Sequence, residues 1–123
     1  MRKPRILIVE DDADARRLYA IGLNQRGFEV KLAANGLEAI ERILSGEKPD
    51  VLLLDWLLPL MDGAEVLARL SDDQEAAAIS IIVISGQPIP AGLHPRIQRW
   101  LTKPVSIEEL VSEIKRPRLP TGA

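Results

Sequence analysis

Short apolar runs alternate with segments of helical periodicity along this chain, and this alternation is the strongest constraint on its fold. Residues 5–9 (RILIV), 51–54 (VLLL) and 81–84 (IIVI) are continuous apolar runs of strand length, which is typical of strands buried on both faces. Weaker strands are predicted at 29–33 and 99–101. Because helix-period segments separate the strands, the pattern predicts an α/β fold with a parallel sheet covered by helices on both faces.

The length of the chain and the lack of an internal repeat or linker predict one domain. A chain of 123 residues with 46% hydrophobic residues is enough for one core. Pro117 and Pro120 end the last helical segment, so we expect a domain over residues 1–117 and a loose tail over 118–123. The sequence contains no cysteine, which excludes disulfides and thiolate metal sites.

Charge and hydropathy give expectations about location and partners. The net charge is −2, so the overall balance gives no indication of a nucleic-acid partner. No apolar run is long enough to cross a bilayer, and the N-terminal run is too short for a signal-peptide core. We therefore expect a cytoplasmic protein with no membrane partner.

In two helical segments, the sequence indicates which face of the helix is buried or where the helix begins. Residues 13–25 predict a helix with Ala15, Leu18, Ile21 and Gly22 on its buried face. Ser106, followed three residues later by Glu109, is typical of the capping box that begins a helix.

The polar residues that follow the strands should meet at one edge of the sheet, because ligands bind at the carboxyl ends of parallel strands. These residues are three acidic side chains after the first strand, one after the third, a hydroxyl after the fourth and an ammonium after the fifth: Glu10, Asp11, Asp12, Asp55, Ser85 and Lys103. Each alone has an ordinary structural interpretation; Asp12, for example, is well placed to cap the first helix. Together they favour a functional site at this edge of the sheet.

The chemistry of this set points to a hard cation and to phosphorus. Clustered carboxylates repel one another without a cation, and oxygen ligands favour Mg²⁺ over zinc or copper. A carboxylate beside such an ion can attack phosphorus and form an acyl phosphate. Lys103 would then neutralise charge on the transferring group, and Ser85 would donate a hydrogen bond to it.

Four segments of the sequence resemble the receiver domains of two-component response regulators. They are ILIVEDD (6–12), DVLLLDWLLPLMDG (50–63), IIVISG (81–86) and LTKP (101–104). The resemblance covers nearly the whole chain. It implies a three-layer, doubly wound, flavodoxin-like fold with a five-stranded parallel sheet of order 2-1-3-4-5, the order that a chemotaxis receiver also has.

The resemblance also implies a role for each matching residue. Asp55 matches the phospho-acceptor. The implied metal ligands are Asp11 and Asp55, with Glu10 acting through water and Leu57 through its backbone carbonyl. Ser85, Lys103 and Trp100 match the mobile hydroxyl, the conserved-type lysine and the aromatic switch position, and Pro104 matches the proline that follows a cis bond.

The implied function is a phosphorylation switch. The phosphoryl group would come from a sensor histidine kinase or a histidine phosphotransfer protein in a Mg²⁺-dependent reaction. Output would pass through a partner protein or a phosphorelay, since nothing follows the last helix except PRLPTGA, and we expect a stand-alone domain. We expect a self-phosphorylating and slowly self-dephosphorylating switch, not a multiple-turnover enzyme.

Two other functions stay open. A non-phosphorylated pseudo-receiver would serve only as a protein-interaction module. A phosphatase-like enzyme with Asp55 as nucleophile is disfavoured, because position 57 holds Leu where such enzymes often carry an acid.

The chain departs from the family pattern between Ser85 and Lys103. These residues are only eighteen positions apart (103 − 85), and Pro88, Pro90 and Pro95 lie between them. Since prolines oppose a regular helix, we expect the fourth helix of the family to be shortened, displaced or missing over residues 87–98. Leu57 cannot orient an attacking water, so we also expect a long-lived phosphoryl group.

Overall fold

The computed structural model describes residues 2–118 and contains one parallel sheet between two layers of helices. Its strands are β1 (Arg5–Val9), β2 (Glu29–Ala33), β3 (Val51–Asp55), β4 (Ser80–Ser85) and β5 (Ile97–Thr102). Its helices are α1 (Ala13–Gln25), α2 (Gly36–Leu44), α3 (Gly63–Ser71) and α4 (Ile107–Lys115), with a 3-10 helix at Gln74–Ala78. The sheet order β2-β1-β3-β4-β5 confirms the predicted fold.

The apolar runs form the strands because both faces of the sheet are covered. Alternate residues of β1 and β3 point into two separate cores. One core lies under α2 and α3 and includes Leu7 and Leu52, and the other lies under α1 and α4 and includes Ile8. This explains why the central strands are continuously apolar and not alternating.

The crossover from β4 to β5 contains no helix in residues 86–96, which confirms that the fourth helix of the family is missing. This crossover segment is held at its far end by Arg96, whose guanidinium donates to the carbonyls of Ala76 and Ile79 at 2.9 and 3.2 Å. β5 then begins two residues earlier than its weak sequence signal predicts, at Ile97.

The predicted buried face of α1 is wrong at two positions. Leu18 is 68% exposed and Ile21 is 49% exposed. The helix instead turns Leu23 and the half-buried Tyr19 toward the sheet. Gly22 does lie inward, since a Cβ there would meet Ile107 of α4.

The caps of the helices follow the sequence signals. Asp12 accepts hydrogen bonds from the main-chain N–H groups of Asp14 and Ala15 and so caps α1. Ser106 accepts from the N–H of Glu109 at 3.0 Å and begins α4. Of the predicted tail, residues 119–123 lie outside the described residues. Within residues 2–118, none of the helices has the length and hydropathy that crossing a bilayer requires.

Candidate phosphoryl-transfer site

Three carboxylates meet at the carboxyl ends of β1 and β3. Glu10 and Asp11 follow β1, and Asp55 is the last residue of β3. One oxygen from each lies within 4.8 Å of the other two. Glu10 is 3% exposed and Asp55 is 9% exposed, while Asp11 faces solvent. The strand ends therefore bring together the acidic residues that the sequence predicts.

Lys103 supplies the positive charge of this edge. Its Nζ lies 3.1 Å from Glu10 Oε1 and 3.3 Å from Asp55 Oδ2. Partial burial alone would lower the pKa of Lys103, but the hydrogen bond that its ammonium donates to Glu10 and the charges of both carboxylates raise it above its ordinary value. The ammonium is therefore charged at neutral pH.

Glu10 is fixed from several sides. Its second carboxylate oxygen accepts from the N–H of Asp12 at 3.2 Å, and its carbonyl accepts from Arg16 Nη1 at 2.7 Å. Because each contact restricts the residue, Glu10 is preorganised. The role of Arg16 was not predicted, since an arginine in the first turns of a helix carries no signal of an inward contact.

The donor set fits a hard divalent cation. The three oxygens come from carboxylates, two of them are buried, and Asp11 is open to solvent. Mg²⁺ typically keeps several waters and binds one or two carboxylates together with phosphate oxygens. Asp11, Asp55 and Glu10 could hold such an ion. The Leu57 carbonyl stays a predicted ligand, and the Leu57 side chain is 62% exposed in the loop after β3.

Ser85 ends β4 next to the acceptor strand. Asp55 is paired with Ile84 in the β3–β4 register, so Ser85 comes directly after the level of Asp55. The Ser85 hydroxyl is buried and accepts from the N–H of Gln87 at 3.0 Å, and its carbonyl accepts from the N–H of Lys103 at 2.8 Å. The Lys103–Pro104 peptide bond is cis, the geometry that the resemblance implies.

Trp100 is half-buried on β5, in contact with a second indole. The ring centroids of Trp100 and Trp56 lie 5.3 Å apart at an interplanar angle of 57°. The Trp100 Nε1–H donates to the carbonyl of Gln87 at 3.2 Å. Trp100 was predicted to be a site residue, whereas Trp56 was not, although Trp56 directly follows Asp55 in the chain.

Tyr19 of α1 adds a further polar group to the surroundings of the site. Burial raises the pKa of its phenol above the ordinary value, while the charge of Lys103 acts in the opposite direction and those of Glu10 and Asp55 add to the rise. The Tyr19 phenol therefore lies within electrostatic range of Lys103, Glu10 and Asp55.

A model of the response regulator receiver domain matches residues 6–115 of this chain. The chain belongs to this family. The match lies within the predicted domain of residues 1–117, and phosphorylation-dependent signalling is general for the family. Its acidic cluster of Glu10, Asp11 and Asp55 fits Mg²⁺ binding and phosphorylation.

One relative is the phosphate regulon transcriptional regulatory protein PhoB of Pseudomonas aeruginosa, which is 36% identical over 121 residues. That alignment covers 95% of this chain and 52% of PhoB. The chain thus spans about half the length of the curated relatives it matches.

Solved structures agree with the fold. The chemotaxis response regulator CheY4 of Vibrio cholerae has a TM-score of 0.83 at 24% identity, with 93% of this chain and 98% of that chain covered. The response regulator protein TrrA of Thermotoga maritima, solved in complex with Mg(2+)-BeF, has a TM-score of 0.80 at 27% identity, with 91% and 96% covered.

Proposed function

We propose that this receiver domain accepts a phosphoryl group on Asp55 from a phosphohistidine donor in a Mg²⁺-dependent reaction. The donor would be a sensor histidine kinase or a histidine phosphotransfer protein. The observation that carries the proposal is the joint contact of Lys103 Nζ with Glu10 and Asp55 beside the exposed carboxylate of Asp11. This arrangement brings a nucleophilic carboxylate, an ammonium group and a set of possible metal ligands together at the carboxyl edge of the sheet.

The transfer step balances with the groups present. A carboxylate oxygen of Asp55 forms the new P–O bond, and the P–N bond of the phosphohistidine breaks. The electron pair of that bond goes to the imidazole nitrogen, and the imidazole leaves neutral because its other ring nitrogen carries a proton or because the freed nitrogen takes one from solvent. Lys103 neutralises charge on the phosphoryl oxygens, and Ser85 donates a hydrogen bond to one of them.

Mg²⁺ would be held by Asp11, Asp55 and Glu10, with the Leu57 carbonyl completing the protein ligands. When bound, it supplies charge neutralisation at the phosphoryl oxygens, which phosphoryl transfer requires. It would also relieve the repulsion among the three carboxylates, which Lys103 offsets for Glu10 and Asp55.

We propose that the phosphorylated domain signals through a phosphorylation-dependent protein contact or a phosphorelay in the cytoplasm. It acts as a switch that modifies itself once and slowly reverts, not as a multiple-turnover enzyme. The expectation that it works without an attached output domain stays a prediction, as does the expectation of no nucleic-acid partner. PhoB and the DNA-binding regulator RpaA of Synechocystis are about twice as long as this chain.

The test is a phosphorylation assay with acetyl phosphate, with and without Mg²⁺, read by intact mass. We expect a gain of one phosphoryl group that requires Mg²⁺. The matched control is Asp55→Asn, which keeps the size of the side chain and removes the nucleophile. If the wild-type chain gains no mass under any condition, the proposal is wrong and a pseudo-receiver that acts only in binding is the better interpretation.

A further inference from the structure

A cleft of about 300 Å³ opens at the amino ends of β1 and β2, at the opposite end of the strands from Asp55. The two strands pair Arg5 with Glu29 and Leu7 with Lys31, so these four side chains share one face of the sheet. That face carries the core under α2 and α3, to which Leu7 belongs. The volume lies at the lower end of the range for small-molecule sites, which is about 300–1,000 Å³. The cleft is separated from the phosphoryl-transfer site by roughly the length of β1, about 17 Å.

The loop after α2 forms a fixed wall of this cleft. Gly46 turns the chain with a φ of 105°, and the N–H groups of Gly46 and Glu47 donate to the carbonyls of Ile43 and Arg42 at 3.1 and 3.0 Å. Lys48 Nζ also donates to the Ile43 carbonyl at 3.1 Å. Because these donors satisfy carbonyls in the last turn of α2, they offset the partial negative charge at this end of the helix. The end of α2 therefore opposes a negative ligand only weakly.

Two arginines that line the cleft keep N–H groups that are free to bind. Arg5 Nε lies 3.1 Å from Glu29, and neither Nη group of Arg5 has a hydrogen-bond partner within residues 2–118. Arg42 Nη1 lies 3.3 Å from Glu47, whereas Arg42 Nε is buried, makes no hydrogen bond and lies 3.7 Å from Glu38. A guanidinium carries five N–H donors in a fork that fits carboxylate and phosphate groups. Each arginine can therefore bind a further anion beside the carboxylate with which it is already paired.

The two lysines that line the cleft differ in their acidic neighbours. Lys48 Nζ lies 3.6 Å from Asp73 and 3.7 Å from Glu75, so its charge is offset by acids outside the cleft. Lys31 is exposed, and no acidic side chain lies within salt-bridge distance of its ammonium among residues 2–118. Since Glu29 and Glu47 are each paired with an arginine, the charge of Lys31 is the one left without a partner. An anion in the cleft would balance it.

We propose that this cleft binds a small organic anion. Its carboxylate or phosphate group pairs with Lys31 and with the free N–H groups of Arg5 and Arg42. Its apolar part lies on the floor of the cleft, which includes Leu7 and Pro49. The cleft has about ten times the volume that one water occupies in the liquid, so an inorganic anion alone would leave much of it to solvent. This second site is independent of the proposed function, because none of its lining residues belongs to the phosphoryl-transfer site.

The test is a titration of the ¹⁵N-labelled full chain with benzoate and, separately, with phenyl phosphate, followed by NMR shifts of the main-chain N–H groups in a buffer without Mg²⁺. Both probes carry one ring, and they differ in the charged group, so their relative affinities identify the preferred anion. We expect saturable shifts at residues 5–7, 29–31 and 46–48 with a Kd of about 1 mM or tighter for at least one probe. Acetate, which lacks the ring, and benzyl alcohol, which lacks the charge, should each bind at least about tenfold more weakly.

Variants at Lys31 test the role of the unpaired charge. Lys31→Met should weaken binding of the preferred probe by about threefold to tenfold, the range for an exposed ion pair together with its hydrogen bond. Lys31→Arg keeps the charge and should bind within about twofold of the wild type. Lys115→Met is the matched control, because it makes the same change in net charge at an exposed position of α4, on the other side of the sheet. Its affinity should also stay within about twofold.

Three results would overturn the proposal. The first is the absence of saturable shifts at the cleft with both ring-bearing probes, and the second is shifts confined to the surroundings of Asp55 and Lys103. The third is an equal loss of affinity in Lys31→Met and Lys115→Met, which would reflect net charge and not a site. A chain that binds these probes at the cleft but is never phosphorylated would overturn only the proposed function.

Discussion

Replacing Lys103 with methionine should destabilise the domain strongly in the absence of Mg²⁺. Methionine keeps most of the aliphatic length and removes the ammonium. In the wild type that ammonium contacts Glu10 at 3.1 Å and Asp55 at 3.3 Å, and both carboxylates are largely buried. Without Lys103, the carboxylates of Glu10, Asp11 and Asp55 would lie close together with no ammonium to offset their repulsion.

The magnitude follows from the burial of the three groups. Removing one partner of a fully buried ion pair costs about 3–5 kcal/mol, because the other charge is left uncompensated. The Lys103 side chain is 33% exposed, so solvent screening reduces this cost to about 2 kcal/mol. For a domain of this size, that loss lowers the melting temperature by about 5–10 °C.

The assay is thermal unfolding by circular dichroism with and without Mg²⁺. We expect Mg²⁺ to raise the melting temperature of Lys103→Met by more than that of the wild type, because the ion would then be the only cation among the carboxylates. Lys31→Met is the matched control, since Lys31 is exposed on the edge strand β2 and the substitution changes net charge equally. That control should melt within about 2 °C of the wild type.

The reasoning fails if Lys103→Met is as stable as Lys31→Met without Mg²⁺. That result would mean that the three carboxylates repel one another too weakly to affect stability, because they are better solvated than their burial indicates. A loss that Mg²⁺ does not reduce would instead show that Lys103 contributes through packing.

Three further changes test other parts of the structure. Gly63→Ala would place a Cβ against the Trp56 indole, so we expect a loss of about 1–3 kcal/mol in urea unfolding. Burial alone would raise the pKa of Asp50, but the Arg5 N–H and the Arg2 guanidinium hold it below its ordinary 3.8. A group with a lowered folded-state pKa stabilises the fold at pH values above its ordinary pKa, and this stabilisation is lost as pH falls through the folded-state pKa. The stability deficit of Asp50→Asn should therefore shrink in thermal melts at acid pH. Leu57→Asn should shorten the lifetime of the phosphorylated form, measured by loss of the phosphoryl mass, since an amide can orient the attacking water; an unchanged lifetime would refute this.

The strands were predictable because a strand buried on both faces leaves a strong signal. The apolar runs at 5–9, 51–54 and 81–84 match β1, β3 and β4 to within one residue at each end. β5 was harder to predict, because it lies at the edge of the sheet and carries Arg99, whose Nε lies 3.1 Å from Glu113 of α4. An edge strand that carries a charged residue has a shorter apolar run, so its sequence predicts a strand less clearly.

The face of α1 was not predictable from hydrophobicity alone. The inward side of this helix includes Arg16, which donates to the Glu10 carbonyl, and the phenol of Tyr19. Leu18 and Ile21 are therefore turned to solvent. A helix that borders a charged site must present polar groups to it, and a search for apolar periodicity then selects the wrong side.

The candidate site was predictable as a group of residue types but not as a network. Parallel strands place their carboxyl ends at one edge, so the acidic residues, Ser85 and Lys103 had to converge once the fold was known. The contacts of Gln87 depend on main-chain groups, which every residue carries. No residue-type pattern can therefore reveal them, and the coordinates are needed.

The missing helix changes how a signal can leave the site. A helix would hold the β4–β5 crossover through its own hydrogen bonds, whereas this segment is held by Ser85 and Trp100 at its start and by Arg96 at its end. Its prolines reduce the entropy of the unfolded chain, so few contacts are enough to order it. In the proposed phosphorylated state, a movement of the Ser85 hydroxyl toward the phosphoryl group would act directly on one of these contacts. The exposed residues that follow Gln87 lie one hydrogen bond away from the site, so such a movement would reach them directly.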